Sequence, residues 1–158
     1  MAYQRILVAF DKSETACHAL KMAIDLVDTQ EAQGEIRLVS IMPSMEEAYA
    51  YGGVADETLA GSAVFDSEII GNLQNIASDK EMEAIKKVAD PYIKDRKNVS
   101  IEIAYGTSPA VGILAYAENN ACDLIVMGNR GLGALRGALG SVSYSVLRSS
   151  PVPVLILK

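Results

Sequence analysis

Short apolar runs alternate along this chain with stripes of apolar residues at helical spacing, and that alternation constrains the fold more than any other feature. Ile6-Leu7-Val8-Ala9-Phe10 is too short for a helix and ends at the polar, cap-forming Asp11-Lys12-Ser13. Ala16, Ala19, Leu20, Ala23, Ile24 and Val27 then make one helical stripe, and Glu14 lies where a helix start favours negative charge. Gly34 marks a turn before a second strand, Ile36 to Met42, closed by Pro43. Val99, Ile101 and Ile103 alternate with Ser100, Glu102 and Ala104, a pattern that suits an edge strand. Ser108-Pro109 supplies a cap and a first helical proline for a helix carrying Ala110, Ile113, Leu114 and Ala117. Leu124 to Met127 is uninterrupted apolar, as a central strand covered on both faces requires. A helix around Ser141 to Arg148 precedes a last strand, Pro151-Val152-Pro153-Val154-Leu155-Ile156-Leu157, which Pro153 keeps at an edge. Strands alternating with helices predict an α/β fold, a parallel sheet with right-handed crossovers.

The stretch from Ser44 to about Ser78 reads as a long, partly irregular excursion, of a kind that in a compact domain is usually functional or mobile. Phe65, Ile69, Leu73 and Ile76 share one helical face, and Met82, Ile85, Ala89 and Ile93 extend it. The spacing predicts a long second helix, weakened at Gly71 and kinked or ended by Pro91.

With 158 residues and 50% hydrophobic content, the chain is expected to form a single domain over 1–158. It carries no long apolar segment and no signal pattern, so the expectation is a soluble, cytoplasmic protein with no membrane partner. A net charge of −6 argues against a nucleic-acid surface. Cys17 and Cys122 match no metal spacing and His18 is alone, so no metal site of the chain's own is expected.

Glycines cluster where the apolar run 124–127 ends and a helix begins, in Met127-Gly128-Asn129-Arg130-Gly131 and Gly140-Ser141-Val142. They let backbone approach a ligand, and the free N–H groups of a helix start, with the Ser141 hydroxyl, suit phosphate. Ligands of doubly wound sheets sit beyond the carboxyl ends of the strands, where the winding reverses. If strands one and four are neighbours, Asp11 and Gly128 face one crevice. Asp11 then has two readings, as acceptor for a ribose or base amine and as a helper in capping helix one with Ser13. A helix end supplies about 0.3–1 kcal/mol, whereas micromolar binding needs about 8 kcal/mol, so an adenine must contribute. Ala9, Ile41 and Met127 are candidate base contacts and equally candidate core residues. Arg130 and Arg136 are either phosphate ligands or solvated loop residues. A dinucleotide fingerprint fails, since Arg136 stands where its third glycine belongs; there is no Walker lysine, and Ser141 lacks a histidine base.

Ile6 to Ser13, Gly106-Thr107-Ser108-Pro109, Asp123 to Gly133, Gly140 to Ser143 and Pro151 to Ile156 together resemble the universal stress protein family over nearly the whole chain. The resemblance implies a single doubly wound, Rossmann-like domain whose five-stranded parallel sheet has order 3-2-1-4-5, with helices on both faces. It implies dimerisation through the last strand, where Val154 and Ile156 are the candidate contacts. It also implies an ATP site, with ADP or AMP as alternatives and Mg accompanying the phosphates. Asp11 is carried over to ribose or base, Ile41 and Met127 to the adenine pocket, and Gly128, Gly131, Gly140, Ser141 and Val142 to ribose and phosphates. One departure stands out: eight residues, 132–139, separate Gly131 from Gly140, where the family pattern has nine. The expected function is an ATP-binding sensor or regulator of stress responses with at most slow turnover. The alternatives are an adaptor of the same fold acting through its dimer surface or the 44–78 excursion, and a slow ATP hydrolase.

Overall fold

A computed structural model describes residues 2–30, 34–44, 67–131 and 139–158. Its elements run β1 (Arg5–Ala9), α1 (Glu14–Asp28), β2 (Glu35–Met42), α2 (Ser67–Ile93), β3 (Val99–Tyr105), α3 (Pro109–Asn119), β4 (Leu124–Gly128), α4 (Ser141–Ser149) and β5 (Val154–Leu157). The five strands form one sheet of order β3-β2-β1-β4-β5, and each neighbouring pair is parallel. The order expected from the resemblance is therefore the observed one.

Strand alternation divides the core. Ile6, Val8, Ile36, Leu38, Leu124 and Val126 face α1 and α2, while Leu7, Val39, Ile125 and Met127 face α3 and α4. Every residue of β4 is buried, as its unbroken apolar run requires. The alternating β3 and the proline-preceded β5 occupy the two edges. Ser13 and Ser108 cap α1 and α3 by accepting the N–H groups of Ala16 and Val111. At the end of α3, Cys122 N–H donates to the Ala117 carbonyl and Ala121 N–H to that of Glu118, a Schellman closure with Ala121 at φ 49°.

The long second helix departs from expectation in one respect. Ile85 and Ala89 are fully buried, but Leu73 and Ile76 are 45% and 52% exposed, so the described part of the apolar stripe packs along the second half of the helix. Length explains this. A 27-residue helix spans about 40 Å, whereas the eight residues of β2 span about 26 Å. Ser78 meets the hydroxyl of Tyr105 at the end of β3, and Glu81 accepts a hydrogen bond from Ser40 near the end of β2. The turns before residue 78 therefore project beyond the carboxyl edge of the sheet. Pro91 lies in the final turn, and the helix stops two residues later. Phe65 and the excursion through residue 66 lie outside the described residues, as does Arg136.

Candidate functional site

The winding reverses between β1 and β4, whose register pairs Ala9 with Met127. Beyond that pair the chain continues to Asp11 on one side and to Gly128-Asn129-Arg130-Gly131 on the other, so the two segments share one crevice. It has a volume of about 190 Å³. Ala9, Ile41, Ile113 and Met127 give it apolar walls, and Asp11, Arg130, Gly131, Val142 and Ser143 line the rest.

The two readings of Asp11 turn out to be compatible. Its Oδ1 accepts the Ser13 N–H at 3.0 Å, which shapes the turn into α1. Its Oδ2 faces Gly131: a Cβ added there would lie 2.6 Å from that oxygen. One carboxylate oxygen is thus committed to the turn, while the other stays at the crevice.

At the opposite wall, Phe10 N–H donates to the Val39 carbonyl, and Gly106 N–H donates to that of Met42. Peptide groups of a strand alternate sides, so Ile41 turns its N–H and C=O toward β1, past the last β1 pair, Ala9–Val39. Those groups face the crevice that Ile41 lines. Gly112 holds Ile41 in place, because α3 presses so closely on β2 that a Cβ at 112 would come 2.5 Å from Ile41 Cγ2.

The start of α4 closes the site. Its cap residue, Gly140, makes no side-chain cap hydrogen bond, in contrast to the serine caps of α1 and α3. Among the described residues, the first-turn N–H groups, including those of Val142 and Ser143 at the crevice, have no side-chain acceptor. Gly140 N–H donates to the Asn129 carbonyl at 2.8 Å, which fixes α4 against the end of β4. The loop one residue shorter than the family pattern therefore still brings its two ends together. Its residues 132–138 lie outside the described set.

Of the candidate residues, Ala9, Asp11, Ile41, Met127, Gly128, Arg130, Gly131 and Val142 line the crevice. Gly140 and Ser141 do not: Gly140 is the cap, and Ser141 is exposed on the first turn. Ser143 occupies the lining position instead, with its buried hydroxyl donating to the Gly128 carbonyl at 2.8 Å. Ser40 and Pro109 were also missed. Ser40 had a legible signal as the lone small polar residue in an otherwise apolar half-strand. Its hydroxyl donates to Glu81, which also pairs with Lys12 in the turn after Asp11.

Among the described residues no cluster of His, Cys, Asp and Glu could hold a metal ion. Cys17 and Cys122 are free and buried, and burial raises both thiols above their usual range. His18 Nδ1 lies 3.2 Å from the Lys158 carbonyl and belongs to no such cluster among the described residues. No helix among the described residues is long and apolar enough to cross a membrane.

Sheet order, crevice and open helix start together define a doubly wound α/β protein with its candidate site at the switch point. The profile of the universal stress protein family matches residues 2–158, and the chain belongs to that family. It is 30% identical to universal stress protein YxiE of Bacillus subtilis over 158 residues, covering 99% of each chain. Among solved structures it resembles hypothetical protein MJ0577 with a TM-score of 0.74 and 25% identity, covering 100% of this chain and 97% of the other. A universal stress protein from Archaeoglobus fulgidus in complex with dAMP shares the fold, with a TM-score of 0.63, 21% identity and 100% coverage of both chains.

Proposed function

We propose that this chain binds an adenine nucleotide, ATP foremost and ADP or AMP as alternatives, and acts as a cytoplasmic sensor or regulator of a stress response. The observation that carries the reading is the start of α4, which has no side-chain cap among the described residues, at a crevice whose other walls are apolar. Donors on one side suit phosphate, and apolar surface with the outward peptide of Ile41 suits a base. The Oδ2 of Asp11, without a hydrogen-bond partner among the described residues, suits a ribose hydroxyl or a base amine. Adenine-nucleotide binding by a family member of the same fold, the dAMP complex, supports the choice of base. At about 190 Å³ the cavity is smaller than the roughly 300–1,000 Å³ of sites that enclose drug-sized ligands. The base and ribose would fill it, leaving the phosphates, with any accompanying Mg, at the open mouth beside Gly131 and α4. Equilibrium dialysis of labelled ATP against nucleotide-stripped protein tests the reading. Saturable uptake of one nucleotide per chain is expected, and absence of saturation at millimolar ligand would exclude it.

The same reading includes a homodimer through the free edge of β5. Val154 and Ile156 pack partly into the core of their own chain, which leaves the outer backbone edge to pair. Tyr144 and Leu147 on α4, 56% and 50% exposed, add an apolar surface nearby. Replacing Leu147 with glutamate should shift the mass measured by light scattering from dimer toward monomer. A wild-type monomer at high protein concentration would exclude the dimer.

A further inference from the structure

Three successive carbonyls after the core of β4 are each held by a protein donor. Ser143 Oγ donates to Gly128 O at 2.8 Å, Gly140 N–H to Asn129 O at 2.8 Å, and Thr15 Oγ1 to Arg130 O at 2.7 Å. The C=O and N–H of one trans peptide plane point in opposite directions, so holding a carbonyl also aims the N–H that follows it. After Gly128 the aimed N–H is that of Asn129, which donates to the Leu157 carbonyl at 2.6 Å. After Arg130 it is that of Gly131, which takes no protein acceptor among the described residues and lies on the crevice wall.

Thr15 does not itself line the crevice. It stands on the first turn of α1, beside Ser13 Oγ at 3.3 Å, and reaches across to the glycine loop. Gly128 makes the reach possible: a Cβ at 128 would strike Thr15 Oγ1 and lie 2.8 Å from Thr15 Cβ. That glycine therefore serves the approach of α1 as well as any approach of a ligand.

We infer that Thr15 is a positioning residue for the phosphate side of the site: by holding the Arg130 carbonyl it turns the Gly131 N–H toward an anionic group of the bound nucleotide. The inference rests on the nucleotide reading above. Without the hydroxyl, the Arg130 carbonyl loses this donor and can turn toward the ligand, where it repels phosphate. A hydrogen bond to a charged group, once lost, corresponds to about ten- to hundredfold in affinity.

Labelled ATP and labelled adenosine are dialysed against wild type, Thr15→Ala and Thr15→Ser, and the Gly131 amide resonance is followed during titration. Thr15→Ala should bind ATP about ten- to hundredfold more weakly while holding adenosine as wild type does, and Thr15→Ser should restore ATP affinity. ATP should move the Gly131 amide in wild type. Undiminished ATP binding by Thr15→Ala, or equal losses for ATP and adenosine, would overturn the inference. Should Thr15→Ala fail to fold, the wild-type Gly131 amide and Thr15→Ser decide. An amide unmoved by bound ATP would sink the Thr15 role alone, whereas a wild type that takes up neither ligand would remove the nucleotide reading and this inference with it.

Discussion

One chemical change, glycine to alanine, should have opposite effects at two positions of this fold. At Gly128 a new Cβ would strike the Thr15 hydroxyl and lie 2.8 Å from Thr15 Cβ and 3.0 Å from its backbone carbon. The first of these can swing away, but the backbone carbon cannot, because α1 is anchored by Ser13 and packs directly on β4. Strand β4 is held by β1 and β5 and has no room to retreat. Overpacking of this kind costs about 1–3 kcal/mol, and a blocked backbone atom places it in the upper half, about 2 kcal/mol. At Gly71, on the projecting part of α2, an added Cβ meets nothing within 4 Å. There alanine should stabilise by about 0.8–1 kcal/mol through helix propensity alone. The two variants should differ by about 3 kcal/mol, or roughly 6–12 °C in Tm for a chain of this size. Urea unfolding with a shared m-value is the assay, since a shift in midpoint at constant m isolates stability. Gly128→Ala within about 0.5 kcal/mol of wild type, the range of a neutral surface change, would refute the packing argument. A destabilised Gly71→Ala would refute the overhang of α2.

Three further outcomes follow from local geometry. Ala121 closes α3 at φ 49°, a conformation that costs a residue with a Cβ about 1–2 kcal/mol, so Ala121→Gly should raise the unfolding midpoint by an amount near 1 kcal/mol; an unchanged midpoint would contradict the strain. Tyr116 donates to Glu102 Oε2 at 2.6 Å, and burial, reinforced by Glu102, pushes its phenol up to about 12 from the ordinary 10.0. A raised folded-state value means stability is fully present below pH 10 and is lost as pH rises toward 12. The stability gap between wild type and Tyr116→Phe should accordingly close across that window, and a gap that stays constant would contradict the assignment. Burial raises Glu102, yet the hydroxyls of Tyr116 and Ser100 and the Arg37 guanidinium outweigh it and hold the carboxyl below 4.5. Its contribution is present above pH 4.5 and lost as pH falls through the lowered value, so Glu102→Gln should flatten the acid limb of the stability profile.

The strands were legible because a parallel sheet buries both faces, so β1 and β4 read as continuous apolar runs, while β3 betrayed its edge position by alternation. The order of the strands was not in those runs; it came with the family resemblance, since periodicity carries no information about which strand pairs with which. Most of the crevice was legible from glycine placement at the end of β4. What escaped were contacts made across space. Whether Leu73 and Ile76 are covered depends on how far a helix outruns the sheet it packs on. Ser143 rather than Ser141 faces inward because the start of α4 turns the third residue, not the first, toward Gly128. Thr15 carried no motif at all, because its partner lies 115 residues away and is a backbone carbonyl.

The central claim is that the crevice between β1 and β4 takes an adenine nucleotide, and the methyl groups that wall it report on this most directly. In nucleotide-stripped protein with labelled isoleucine and methionine methyls, ATP should shift Ile41, Ile113 and Met127 in a saturable manner. Ile85, a residue of α2 buried against the opposite face of the sheet, should stay in place. Saturable shifts that leave Ile41 and Met127 unmoved would put the ligand elsewhere and contradict the account.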